Sequence, residues 1–116
     1  MKEGDVILAP LPQVDGQRKN RPAIVLRIMP PFGDFLVCGI SSQLHQQTMG
    51  FDEIISPPDA DFTTSGLRAA SLVRLGFLSL FSQNQIPGSI GEISSERLQR
   101  LLKRLAEYLV STQSSP

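Results

Sequence analysis

The chain has 116 residues, no formal net charge at pH 7, 41% hydrophobic and 6% aromatic residues. That length supports one domain with a real core over residues 1–110 and a disordered tail over 111–116, and the zero charge excludes a global field that would draw in nucleic acid or membrane, so a polyanion site must be local. A lone cysteine excludes an intrachain disulfide framework, and Met1 leads directly into Lys2 and Glu3 with no membrane-length apolar run, so a soluble, cytoplasmic protein with no membrane partner is expected.

Gly4-Asp5 opens a first strand, Val6 to Ala9, closed by Pro10 and Pro12. The loop from Gln13 to Asn20 carries a turn signal at Asp15-Gly16. A second strand runs from about Arg21 to Ile28. Its run Ala23-Ile24-Val25-Leu26 is wholly apolar and partly β-branched, which reads as burial on both faces. Pro22 lacks an N–H and belongs at the first position of that strand or on an edge. It also holds Arg21 extended. Arg21 is then a guanidinium at the mouth of a strand, placed either to grip an anion or merely to face solvent. Arg18, Lys19, Arg21 and Arg27 read as a local basic cluster that can track a nucleic-acid backbone.

Pro30 to Asp34 makes a turn, and Phe35 to Ile40 a third strand that forms a hairpin with the second. Cys38 within it reads as a small buried hydrophobe. Ser41 to Gly50 is a polar loop, followed by a short fourth strand, Phe51 to Ile55. The carboxylates Asp52-Glu53 and Asp59/Asp61 read as solubilising, since adjacent strand residues face opposite ways. Ser71 to Phe81 is one strand or two, and Leu75 to Phe81 leaves apolar surface that a two-fold partner would cover. Ser89-Ile90 is a short extended piece between Gly88 and Gly91. Ile93, Leu98, Leu101, Leu102, Leu105 and Leu109 follow helical spacing, which predicts a helix over about 95–110 capped by Ser94 or Ser95. Its basic residues read as a solvated face. Many short strands with one terminal helix make a mainly-β fold: a small, partly open barrel with a helix across it.

Standard chemical signatures are sparse. No Cys/His metal spacing and no phosphate-cradling glycine loop occur, so no metal or cofactor is expected. The single histidine, His45, lies among glutamines as a solvated loop residue or a candidate base.

An ordered set of residues nevertheless resembles a family. Gly4-Asp5-Val6 at a strand start, the polar glycine-containing loop, Arg21-Pro22-Ala23-Ile24-Val25-Leu26, and Ile40-Ser41-Ser42-Gln43 at a strand end resemble the PemK/MazF toxins of bacterial toxin–antitoxin pairs. Gly66-Leu67, Ser71-Leu72-Val73-Arg74 and the closing amphipathic helix follow in the same order, so the resemblance spans Gly4 to about Leu109. It implies an SH3-like, partly open barrel of the PemK/MazF/CcdB-like type and a homodimer. It implies a metal-independent endoribonuclease that cleaves single-stranded RNA at short sequences, an antitoxin partner, and DNA binding by the toxin–antitoxin complex.

Such cleavage uses the RNA 2′-OH as nucleophile and leaves a 2′,3′-cyclic phosphate and a 5′-OH, with protein donors stabilising charge at phosphorus. By the resemblance, Arg21 matches the catalytic arginine, Ser41 the active-site Thr/Ser, and Arg74 an arginine used in some members. Asp15, Gln17, Arg18, Lys19, Asn20, Ser42, Gln43 and His45 are the RNA-binding candidates. Two departures concern the general base. Gln17 occupies the loop where some members carry Glu or His, and Gly76 stands where some carry Asp. The base is therefore unassigned, with Asp15 and His45 as candidates. A gyrase-poisoning toxin and a non-catalytic barrel adaptor are the alternative functions on such a fold.

Overall fold

The computed structural model describes residues 1–111; the disordered tail expected beyond lies, from 112 onward, outside the described residues. Its elements are β1 (Asp5–Pro12), β2 (Arg18–Met29), β3 (Asp34–Ser41), β4 (Glu53–Ile55), α1 (Phe62–Ser65), β5 (Ser71–Phe81), β6 (Gly88–Glu92) and α2 (Ser95–Val110). The strands form one antiparallel sheet in the order β4-β5-β3-β2-β1-β6, curled into a partly open barrel.

Curling buries both faces. On one, Val6, Ile24, Leu26, Cys38, Val73 and Leu75 pack beneath Leu101 and Leu105 of α2. On the other, Ile7, Ala9, Ala23, Val25, Val37 and Phe81 form a second core. The strand period of two thus explains why Ala23 to Leu26 is apolar at every position: alternate residues serve different cores, and all are fully buried. Cys38 is buried as expected, and burial pushes its thiol up to about 12.

Several boundaries differ from the sequence reading. The loop before β2 shrinks to a tight turn in which the Gln17 N–H donates to the Asp15 carboxylate at 2.9 Å and Gly16 takes φ 83°. Arg18, Lys19 and Asn20 therefore lie in β2, and Arg21 sits inside the strand opposite Ala9 rather than at its mouth. Pro10 lies within β1 instead of closing it, and Pro12 is its last residue. This is permitted because β6 pairs with β1 only from Asp5 to Leu8, so the prolines sit where β1 has become an edge. Pro22 follows the same logic, since β3 pairs with β2 only from Ala23 onward. The segment Ser71–Phe81 is one strand, but three residues, Leu75, Gly76 and Phe77, bulge between the Gly39/Arg74 and Cys38/Leu78 pairs. The bulge reverses the alternation, so Val73 and Leu75 face one core while Phe77 and Phe81 face the other.

The acidic pairs are not solubilising. Asp52, Glu53 and Asp61 are buried. Asp52 accepts the Leu75 N–H at 3.0 Å and the Thr48 N–H at 2.8 Å, which ties the polar loop to β5. Glu53 and Asp61 receive Arg97 of α2, only 6% exposed, at 2.7 and 2.8 Å. Half-exposed Asp59 adds a third contact at 3.2 Å. Arg100 and Arg104 also reach Glu53, at 3.0 and 3.2 Å. Arg97 is thus turned into the barrel, while Arg100 and Arg104 reach Glu53 from positions still open to solvent. Burial works to raise the Asp61 carboxyl, but the Arg97 guanidinium and the Ser94 N–H outweigh it and hold its pKa below 3.8. Ser94 caps α2 by accepting the Arg97 N–H at 3.1 Å.

Candidate active site

The register of the sheet builds the site. Ala23 of β2 pairs with Gly39 of β3, and continuing that antiparallel register two residues places Arg21 opposite Ser41. Arg21 belongs to the alternate set that includes Ala23 and Val25, so it extends the second core outward into solvent. From the other side, Gly39 pairs with Arg74 of β5. Gly39 lets the chain pack closely there: a Cβ would stand a tight 3.1 Å from the Phe77 ring. That ring lies under Arg74, whose guanidinium carbon is 5.2 Å from the ring centroid. The cation–π contact and the bulge together set Arg74 along the cavity that Phe77 also lines.

Arg21, Ser41 and Arg74 consequently line one cavity of about 340 Å³. Ser42, Gln43 and Gln46 complete its polar wall, and Phe77 is its apolar floor. Among the described residues, neither Arg21 nor Arg74 has a carboxylate partner or a hydrogen bond, whereas Arg97, Arg100, Arg104 and Arg27 are all paired. Ser41 Oγ accepts the Gln43 N–H at 3.0 Å, which fixes the hydroxyl oxygen and leaves its hydrogen free to donate.

The other sequence candidates scatter. Ser42 and Gln43 line the cavity; Asp15, Gln17, Lys19, Asn20 and His45 do not. Asp15 is occupied in its own turn. His45 sits in a 3-10 turn, Leu44–Gln46, exposed and away from the lining. Arg18 donates to the Pro10 carbonyl at 3.0 Å and borders a different depression, with Ser79 and Gln85. Arg27 lies at the far end of β2 against Glu3, 3.3 Å away, so the basic cluster does not include it. Sequence reasoning missed Gln46 and Phe77; the loop's glutamine run and the strand's aromatic carried no signal without the bulge. It also missed Arg68, exposed and unpaired among the described residues, on the bend after α1.

The profile of the PemK-like, MazF-like toxins of type II toxin–antitoxin systems matches residues 2–109. The chain belongs to this toxin family. No curated protein matches the toxin's sequence. Among solved structures, Mycobacterium tuberculosis toxin MazF-mt6 superimposes with a TM-score of 0.66 at 15% identity, covering 94% of this chain and 99% of the other. An endoribonuclease in complex with its cognate antitoxin, from a mycobacterial species, gives 0.66 at 13%, covering 98% and 99%. MazE-MazF of Deinococcus radiodurans gives 0.62 at 16%, covering 97% of each chain. These similarities establish the toxin's mainly-β fold with its C-terminal helix. Among the described residues, no helix is long and apolar enough to cross a membrane.

Proposed function

We propose that this toxin is an endoribonuclease that cuts single-stranded RNA by internal transesterification, with Arg21, Arg74 and Ser41 holding the scissile phosphate. The observation that carries the reading is the convergence of three strands on one cavity, with two guanidinium groups free of acidic partners among the described residues. A planar guanidinium suits the non-bridging phosphoryl oxygens, and the Ser41 hydroxyl adds a neutral donor. The 2′-oxygen forms a bond to phosphorus as the bond to the 5′-oxygen breaks. The products are a 2′,3′-cyclic phosphate and a 5′-OH. Negative charge grows on the phosphoryl oxygens in between, and donors fixed in place stabilise it more than they stabilise the ground state.

No carboxylate or imidazole lines this cavity among the described residues. In this reading the 2′ proton passes to solvent and the 5′-oxygen takes a proton from solvent, so catalysis rests on charge stabilisation and positioning. A toxin that acted by binding gyrase, or an adaptor, would not need Arg21 and Ser41 to converge. The toxin works in the cytoplasm as a homodimer whose interface covers the exposed Leu78 and Leu80 of β5. A cognate antitoxin neutralises it through an acidic, partly disordered peptide that lies across the basic end of β2 at Arg18-Lys19-Asn20-Arg21. The complex with antitoxin binds DNA.

The test is cleavage of a synthetic RNA in the presence of chelator, with the ends of the products identified. Wild-type protein should give cyclic phosphate ends. Arg21→Ala should lose about 3 kcal/mol of transition-state stabilisation, roughly a hundredfold in rate, with its melting temperature unchanged. Cleavage by Arg21→Ala at the wild-type rate refutes the assignment.

A further inference from the structure

A second cavity, of about 480 Å³, opens on the other side of Arg21. It shares Arg21, Ile40, Ser41 and Ser42 with the first, so the two form one groove with these residues on the ridge between them. Its far wall is Leu67, Arg68 and Ile90. Arg68 is exposed and has no carboxylate partner or hydrogen bond among the described residues.

The wall carrying Arg68 is held rigidly. Gly66 ends α1 at φ 75°, and a Cβ there would collide with the Ile90 carbonyl. Gly91 in turn packs against the backbone of Thr64 and Ser65, where a Cβ would also collide. The Ser65 hydroxyl, fully buried, accepts the Leu67 N–H at 3.2 Å. Two glycine contacts and a buried hydroxyl therefore fix the bend on which Arg68 stands. The bend is fixed, and it presents an exposed, unpaired cation beside a partly apolar pocket, a combination that suits a ligand with one anionic and one flat, weakly polar part.

We infer that this second cavity is a nucleotide subsite: it takes the base next to the scissile phosphate, and Arg68 holds the following phosphate of the RNA. The inference rests on the endoribonuclease reading, because it places the scissile phosphate on the ridge of Arg21 and Ser41. An unstacked base on one side then lies in the first cavity against Phe77. The base on the other side lies in the second, against Leu67 and Ile90. The two cavities differ in chemistry. The first offers an aromatic face, while the second offers aliphatic walls, the Ser71 hydroxyl, which donates to the Ala69 carbonyl and keeps its oxygen as an acceptor, and the Arg68 guanidinium. The groove therefore treats its two flanking bases unequally, and sequence preference in the second position comes from contacts at Leu67, Arg68 and Ser71. Arg68 is a positioning residue: it grips a phosphate that does not react.

The experiment measures two quantities for wild type, Arg68→Ala and Arg68→Lys. The first is KM and kcat on a short RNA. The second is the affinity for the all-2′-deoxy oligonucleotide of the same sequence, which lacks the nucleophile, over a series of salt concentrations. Arg68→Ala should raise KM about tenfold with kcat unchanged, weaken the deoxy oligonucleotide similarly, and reduce the salt slope of log affinity by about 0.7. Arg68→Lys, which keeps the charge, should retain the slope. Equal KM, affinity and slope for wild type and Arg68→Ala overturns the subsite. Failure of the wild type to cut any RNA overturns the endoribonuclease reading instead, and the subsite is then judged on the deoxy oligonucleotide alone. If Arg68→Ala lowers kcat rather than raising KM, the residue acts on the reacting phosphate and the positioning role is wrong.

Discussion

Replacing Arg97 by Met tests how the helix is locked to the barrel. The side chain is 7% exposed and is the principal partner of two buried carboxylates, Glu53 at 8% and Asp61 at 5% exposure. Met keeps much of the stem volume, so a cavity contributes little and the loss is electrostatic. Glu53 keeps Arg100 and Arg104. Asp61 keeps only the Ser94 N–H at 3.0 Å among its main partners. Removing one member of a buried pair costs about 3–5 kcal/mol, and the surviving partners of Glu53 put this case near about 3. With about 2 cal/mol/K of unfolding entropy per residue, 116 residues convert that loss into a fall in Tm of about 12 °C at pH 7. The pH dependence gives a sharper check. In the wild type the depressed Asp61 pKa adds stability that is present above 3.8 and is lost as pH falls through the lower folded value. Without Arg97, burial is left to raise the same carboxyl, so its charge destabilises the fold at neutral pH and ceases to do so once protonated. The gap in Tm between the two proteins should therefore narrow as pH falls from 7 toward 4. Adding Asp61→Asn to Arg97→Met should recover part of the loss. Thermal melts by circular dichroism over that pH range decide the matter. A gap that is constant with pH, or a double variant worse than the sum of the single ones, refutes the electrostatic account.

Three further outcomes follow. Cys38, fully buried and with its thiol raised to about 12, stays protonated at pH 8 and should resist a thiol reagent until urea unfolds the protein; rapid native labelling would contradict its burial. His45→Ala should leave the RNA cleavage rate unchanged, because the imidazole does not line the cavity; a fall of tenfold or more would make it the missing base. Saturating antitoxin should displace a non-cleavable RNA analogue, and Arg18→Glu with Lys19→Glu should weaken both ligands; an antitoxin that binds equally well with RNA in place refutes competition for the basic end of β2.

Periodicity and composition alone determined a good deal of this protein. The fully apolar run Ala23 to Leu26 fixed a doubly buried strand, and the leucine spacing from Leu98 to Leu105 fixed the terminal helix, with its cap narrowed to Ser94 or Ser95, because both signals are local and repeat with the element's own geometry. Arg21, Ser41 and Arg74 were singled out by an ordered resemblance, but their convergence was not readable. It depends on the register that sets Arg21 across from Ser41 and on the three-residue bulge that lays Arg74 over Phe77, and register is a property of strand pairs. The same limit explains the errors. Asp52, Glu53 and Asp61 read as surface carboxylates because their partners, Leu75 and Arg97, lie 23 to 44 residues away along the chain. Arg27 read as a neighbour of Arg21, yet it lies six residues, three repeats of the pleat, farther along β2, beside Glu3. Arg68 carried no signal at all. Only the close packing of Gly66 on Ile90 and of Gly91 on Thr64 brings its bend to the groove, and a contact between backbones leaves no trace in a pattern of apolar and polar side chains.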